Sequence, residues 1–288
     1  MTASGFAVIG GDLRQTKLIE LLLADKHKVS AFALPPCAEE KGIVSQSLAQ
    51  AVEGAHCVIL PLPVSRDGIH LFTATGVAPL SLETVFSALS PQQKVLGGFL
   101  SAHVNTLAAT QGVSLIDYYT HEPFVIAGAL ATAEGAISIA MEERTSLLSG
   151  SRALVLGFGR IAKLLAHKLK ALDVTVSIAA RRPSDIAWAK TLGYTALFLD
   201  ELDDHLHDYH IIFNTIPHQI LDFKRLAFLD PQTLLIDLAS PPGGFDFSAA
   251  KNLDMKTIWA LSIPGRYAPT STAHALRDTV YQLLHETP

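Results

Sequence analysis

Short apolar runs alternate with amphipathic stretches along the whole chain. Phe6-Ala7-Val8-Ile9 opens the pattern. The turn Gly10-Gly11-Asp12 follows, and Leu18, Ile19, Leu21, Leu22 and Leu23 then recur at helical spacing. Residues 28–33 read as the next strand, completing a β–turn–α–β unit, the building block of a parallel sheet. Further strands are expected at 56–60, 94–98 and 113–118, with a helix at 102–110. A longer helix is expected over 132–147, carrying Ala133, Ala136, Ile137, Ile139, Ala140 and Met141. Thr132 would cap its start, Glu134 would lie in its first turn and Gly150 beyond its exit. A second series of strands is expected at 153–156, 175–179, 211–214, 234–238 and 257–260, with a last helix at 271–284. These runs are apolar throughout, as strands covered by helices on both faces are.

The order predicts an α/β protein with two Rossmann-like doubly wound parallel-sheet domains joined by linker helices. The expected parts are a first domain at 1–130 with residues 271–288 packing back onto it, a linker helix at 131–149, and a nucleotide-binding domain at 150–270. A length of 288 residues agrees with two domains of about 150 each.

Gly157-Phe158-Gly159-Arg160-Ile161-Ala162 follows the strand Ala153-Leu154-Val155-Leu156 and opens a helix, the G-x-G-x-x-A pattern of a dinucleotide site. Gly157 makes the tight turn, Gly159 admits a pyrophosphate, and Ala162 keeps helix and sheet close. About twenty residues on, an acidic residue would mark a site for NAD. Here the strand ends in Ala179-Ala180-Arg181-Arg182-Pro183-Ser184. Two guanidinium groups suit a 2′-phosphate, so Ala180, Arg181, Arg182 and Ser184 predict NADP, with NAD possible through Asp185. Thr215, Ile216, Pro217, Ala239 and Ser240 end later strands and are expected beside the nicotinamide half.

Composition narrows the classes. Lys and Arg number 22 against 27 Asp and Glu, a net charge of −5, so no nucleic-acid partner is expected. With 49% hydrophobic and 17% charged residues the chain is too apolar for disorder. No uninterrupted apolar run approaches the length of about 18 residues that a spanning helix needs, so no membrane association is expected. Met1-Thr2-Ala3-Ser4-Gly5 lacks the basic start of a secretory signal. Cys37 and Cys57 make neither a disulfide framework nor a zinc site, and a reducing cytoplasm is the expected location. His205-Leu206-His207-Asp208-Tyr209-His210 reads as a polar loop, and no metal is expected.

Several segments, in order, resemble the A subunit of dipicolinate synthase from spore-forming bacteria. They are Gly10-Gly11-Asp12-Leu13-Arg14-Gln15, Thr132-Ala133-Glu134-Gly135-Ala136-Ile137, residues 151–160, Asn214-Thr215-Ile216-Pro217, residues 236–246 and Pro264-Gly265-Arg266-Tyr267-Ala268-Pro269. The resemblance implies a sporulation enzyme that oxidises a dihydrodipicolinate-pathway intermediate to pyridine-2,6-dicarboxylate with NADP or NAD. It also implies that the partner is a flavoprotein-like B subunit, and that the first domain carries the substrate.

A ring with two carboxylates needs cationic groups, hydroxyls or helix N-termini. Gly11, Asp12, Arg14, Thr132, Glu134, Ser262 and Arg266 are the candidate substrate residues. Aromatisation also releases a proton; His121 and His218 are candidate bases, and neither is assigned. Apolar helices make a homodimer the expected assembly. Two other readings stand beside this one: a 2-hydroxy-acid-type NAD(P) dehydrogenase, and a non-catalytic NADP-binding scaffold subunit.

Overall fold

The computed structural model describes residues 5–35 and 44–286, so Cys37 lies outside the described residues. The chain divides into two compact units: residues 1–127 with 268–288, and residues 128–267.

The first unit contains β1 (Gly5–Ile9), α1 (Leu13–Ala24), β2 (Lys28–Phe32), α2 (Leu48–Val52), β3 (Cys57–Ile59), α3 (Leu82–Ser87), β4 (Lys94–Gly97), α4 (Ala102–Thr110) and β5 (Leu115–Asp117). All strands run parallel in the order β2-β1-β3-β4-β5. Consecutive strands alternate sides at β1, so the carboxyl ends of β1 and β3 flank a topological switch point. The last helix of the chain belongs to this unit. Its Ala273, Leu276 and Val280 share a buried cluster with Leu18, Ile19 and Leu22 of α1, and the Tyr281 hydroxyl donates to Asp25 at 2.9 Å.

α5 (Glu122–Glu143) is ten residues longer at its start than the pattern predicts and ends four residues earlier. Pro123 lies in its first turn, where no intrahelical N–H is needed, so it does not interrupt the helix. Thr132 is therefore not a cap. It lies inside the helix, and its hydroxyl donates to the Gly128 carbonyl at 2.8 Å. α5 is also long and apolar enough to cross a membrane by length and composition, against the expectation from uninterrupted runs. Most of its apolar surface is already used: Ala133, Ala136, Ile139 and Ala140 are buried in the core of the second unit.

The second unit continues with β6 (Arg152–Leu156), α6 (Arg160–Ala171), β7 (Thr175–Ala180), α7 (Pro183–Thr191), β8 (Thr195–Phe198), β9 (Ile211–Asn214), α8 (Phe223–Leu226), β10 (Leu234–Asp237), α9 (Phe247–Asn252), β11 (Thr257–Trp259) and α10 (Ile263–Tyr267). α11 (Pro269–Glu286) then returns to the first unit. The parallel order β11-β10-β9-β6-β7-β8 is that of a dinucleotide-binding fold, with its switch point between β6 and β9. β8 has no counterpart in the predicted strands. It is a four-residue edge strand whose alternation is too short to stand out from the loop that follows. Residues 263–267, expected as a loop, form the short helix α10.

Gly135 shows why this helix pair needs glycine. A methyl group on its Cα would overlap Ile263 Cγ2 of α10 and press on Tyr267 at 3.1 Å. Gly135→Ala is expected to destabilise the second unit by about 1–3 kcal/mol through overpacking. A lowered urea midpoint at constant slope checks it. Cys57 yields a further expectation. Burial pushes its thiol up to about 12, so it stays protonated and unreactive near neutral pH. Alkylation followed by peptide mass spectrometry is expected to mark Cys57 only after denaturation.

Candidate functional site

The first strand of each sheet, β1 and β6, runs through a glycine turn into a helix, and the two turns differ in what they leave free. In the first unit, Asp12 caps α1. Its carboxylate accepts from the Arg14 N–H at 3.0 Å, while the Gln15 side chain accepts from the Asp12 N–H at 3.0 Å. Asp12 also takes two bonds from the Arg14 guanidinium, each 2.8 Å, and Arg14 donates a third to the Leu62 carbonyl at 2.7 Å. The guanidinium is buried. Burial alone would lower its affinity for the proton, but the Asp12 carboxylate outweighs this and raises it. Gly10 and Gly11 both have positive φ, and a side chain at Gly11 would overlap Gln15. This turn already holds its own anion, Asp12, where an external one would bind.

The β6–α6 turn is the opposite case. Gly159 is the N-cap of α6 and supplies no side-chain bond to the helix. Space is open where its Cβ would stand, with no atom within 4 Å. Gly157 has φ +96°, and an added Cβ there would lie 2.5 Å from the Thr215 hydroxyl oxygen. A helix start with no side-chain cap, a positive helix end and open space above Gly159 fit a pyrophosphate. Phe158 contributes only backbone. Its ring is buried in the core, edge-on to Tyr194. Ile161 also packs against that core, whereas Arg160 is exposed.

The ends of β6, β7 and β9 are stitched together around this turn. Gly157 N–H donates to Ala179 O at 2.8 Å, and Thr215 gives both its N–H (3.0 Å) and its hydroxyl (2.8 Å) to Leu156 O. Ala180 ends β7 and is buried. Arg181, Arg182 and Ser184, directly after it, are exposed. Arg181 has no hydrogen-bonding or ionic partner among the described residues, whereas Arg182 pairs with Asp185. The carboxylate nearest the end of β7, Asp185, faces Arg182 and pairs with it.

A buried polar pair holds the loops after β9 and β10. Asn214 and Asp237 are register partners, each the last residue of its strand, and both are fully buried. Asn214 Nδ2 donates to Asp237 Oδ1 at 2.7 Å and to Ile216 O at 2.9 Å, and its Oδ1 accepts from Ile216 N–H at 3.0 Å. Asp237 accepts from Ala239 N–H at 3.0 Å and from Gly244 N–H at 2.6 Å. A side chain at Gly244 would overlap Asn214, so close approach requires the glycine. The Trp259 indole N–H closes the frame on Ala239 O at 2.9 Å. Ala239 is thus buried and fixed, while Pro217 and Ser240 are exposed and Thr215 and Ile216 half-buried. The sequence pattern points to these loop residues and not to Asn214 and Asp237 beneath them. The one signal for the pair is a polar residue closing each of two apolar strands.

The remaining candidates divide between the two units. Glu134 does not cap a helix; it lies inside α5 and pairs with Lys168 at 2.8 Å. Ser262 has φ +57°, and Arg266 is exposed with its guanidinium 5.6 Å from the Tyr267 ring. These two, with Thr132 and Glu134, belong to the second unit; Gly11, Asp12 and Arg14 belong to the first. His121 approaches the Thr279 hydroxyl of α11 at 3.4 Å, whereas His218 is exposed with no partner among the described residues. Among the described residues no group of three His, Cys, Asp or Glu is placed to hold a metal.

Comparison with known proteins agrees with this division. Residues 5–119 match the family described as the N-terminal domain of the dipicolinate synthase A subunit. Residues 125–240 match the D-isomer specific 2-hydroxyacid dehydrogenase NAD binding domain. The dipicolinate synthase A subunit of Bacillus subtilis is 29% identical over 300 aligned positions, covering 99% of this chain and 97% of the relative. The crystal structure of the Bacillus subtilis protein superposes with a TM-score of 0.84 at 27% identity, over 99% of this chain and 97% of the other. The structure from Bacillus halodurans does so at 0.87 and 26%, over 99% of each chain. Along nearly its whole length the chain is similar to dipicolinate synthase A subunits, and the part that matches the N-terminal domain of that family is the first unit, with the capped turn.

Proposed function

We propose that this chain is the NADP-dependent oxidoreductase subunit that converts a dihydrodipicolinate-pathway intermediate to pyridine-2,6-dicarboxylate. The observation that carries the reading is the uncapped β6–α6 turn with Arg181 and Arg182 at the next strand end, in a chain similar to a dipicolinate synthase A subunit over 99% of its length. The alternative NAD reading would need Asp185 to turn from Arg182, with which it pairs at 2.8 Å, toward a ribose hydroxyl.

The oxidation takes two electrons and two protons from the ring, one proton leaving with the electron pair as hydride. The bound nicotinamide supplies the hydride acceptor. Residues of this chain do the rest. The N–H groups at the start of α6 hold the pyrophosphate. Arg181, Arg182 and Ser184 hold the 2′-phosphate. Thr215, Ile216, Pro217, Ala239 and Ser240 line the nicotinamide half, fixed from below by Asn214 and Asp237. The second proton goes to a base or to water. His218 is free to take it, and His121 is engaged with Thr279. Arg266 and Ser262 remain candidates for the substrate carboxylates; the Thr132 hydroxyl already donates to the Gly128 carbonyl, and Arg14 positions the Gly10-Gly11-Asp12 turn.

A flavoprotein-like B subunit for partner, a homodimer for assembly and the cytoplasm for location belong to the same proposal. Purified chain incubated with freshly made dihydrodipicolinate and NADP, with and without that partner, tests it. Pyridine dicarboxylate and NADPH are expected in equal amounts. Absence of both products from the two tubes alike would remove the reading, and oxidation of 2-hydroxy acids in their place would favour a dehydrogenase of that class.

A further inference from the structure

We infer that Asp185 is a positioning residue for the cofactor's 2′-phosphate, acting through Arg182, and not an acceptor for a ribose hydroxyl. The inference rests on the NADP reading above and adds a residue that sets its selectivity. Asp185 stands in the first turn of α7, three residues after Arg182, which is the N-cap of that helix. Its Oδ2 accepts from Arg182 Nε at 2.8 Å and its Oδ1 from Arg182 Nη2 at 3.3 Å. Both carboxylate oxygens therefore face one edge of the guanidinium, each accepting one bond from it. The other edge, with Nη1, is left for a ligand.

The exposures show which partner is fixed. The Asp185 side chain is 14% exposed and the Arg182 side chain 68%. The carboxylate is the anchored member, held against the positive end of α7, and the arginine head stands out in solvent from it. A long arginine in water samples many rotamers, and binding a phosphate would have to stop that motion. The fork to Asp185 stops it beforehand. Arg181, with no partner among the described residues, is the free cation of the pair.

The carboxylate also has an opposing effect, since a negative charge near a phosphate repels it. Two guanidinium groups against one carboxylate leave the cluster at +1, so attraction survives, and orientation decides the sign of the Asp185 effect. The two cofactors separate the possibilities, because NAD has no 2′-phosphate.

Isothermal calorimetry of the full chain with NADP and with NAD tests this, using Asp185→Ala, Asp185→Asn and Asp185→Glu beside the unsubstituted chain. Asp185→Ala is expected to weaken NADP about tenfold, the cost of one freed rotamer-rich side chain, with NAD unchanged. Asp185→Glu keeps the carboxylate and is expected to recover part of the loss. Stronger NADP binding in Asp185→Ala or Asp185→Asn, equal loss of both cofactors, or loss of NAD alone each overturns the inference. An unsubstituted chain that prefers NAD overturns the NADP reading as well. Preference for NADP with Asp185→Ala unchanged overturns this inference alone.

Discussion

Asp237→Ala is expected to destabilise the second unit by about 3–5 kcal/mol, the usual cost of removing one member of a buried charged hydrogen-bonded set. The substitution leaves the N–H groups of Ala239 and Gly244 and one N–H of Asn214 with no acceptor in a fully buried place. Each stranded donor costs about 1–3 kcal/mol. Domains are stable by only about 5–15 kcal/mol, so the loss is a large share. Both tryptophans, Trp188 and Trp259, lie in the second unit, so fluorescence excited selectively at tryptophan follows that unit alone. The denaturation midpoint is expected to fall well below that of the unsubstituted chain. Asp237→Asn retains one acceptor oxygen and is expected to fall between them. A midpoint for Asp237→Ala equal to the unsubstituted value would show that the frame does not hold the unit.

The second large effect is on cofactor choice. Replacing both Arg181 and Arg182 by alanine removes two charge-assisted contacts to the proposed 2′-phosphate, each worth about 1.5–3 kcal/mol. NADP affinity is expected to drop by at least about a hundredfold, since each 1.4 kcal/mol is about a factor of ten. Binding of NAD is expected to stay within about twofold, because the proposed pyrophosphate site at Gly157 and Gly159 is untouched. Calorimetry with both cofactors measures this. Equal affinity for NADP before and after substitution would contradict the assignment. A parallel loss of NAD would point to a disturbed β7–α7 junction.

The two sheets are legible in the sequence because their strands are short apolar runs separated by helical spacing, a pattern that burial on both faces imposes. The dinucleotide turn is legible for a different reason: glycine at 157 and 159 answers to positive φ and to close backbone approach, which few other sequences satisfy. The start of α5 is not, because Pro123 and Gly128 read as interruptions although neither breaks the helix. Thr132 and Glu134 then look like a first turn when they are interior, one bonded back to Gly128 and the other to Lys168. Arg14 reads as a solvent-facing cation with carboxylate-binding potential. Its burial against Asp12 and Leu62 depends in part on a residue 48 positions away, which spacing along one helix cannot report. The Asn214–Asp237 frame is hidden for the same reason, since it exists only once β9 and β10 pair in register.

If this chain is the oxidoreductase subunit, a nicotinamide bound at its β6–α6 turn would accept the hydride from the substrate ring. Ring-deuterated dihydrodipicolinate turned over by the chain with NADP and its partner subunit tests it most directly, with mass analysis of the recovered cofactor. Deuterium in the NADPH, in proportion to the pyridine dicarboxylate formed, is the result expected. Product formed with label-free cofactor, the deuterium passing to solvent, would contradict the claim and leave this chain as a scaffold for chemistry done by its partner.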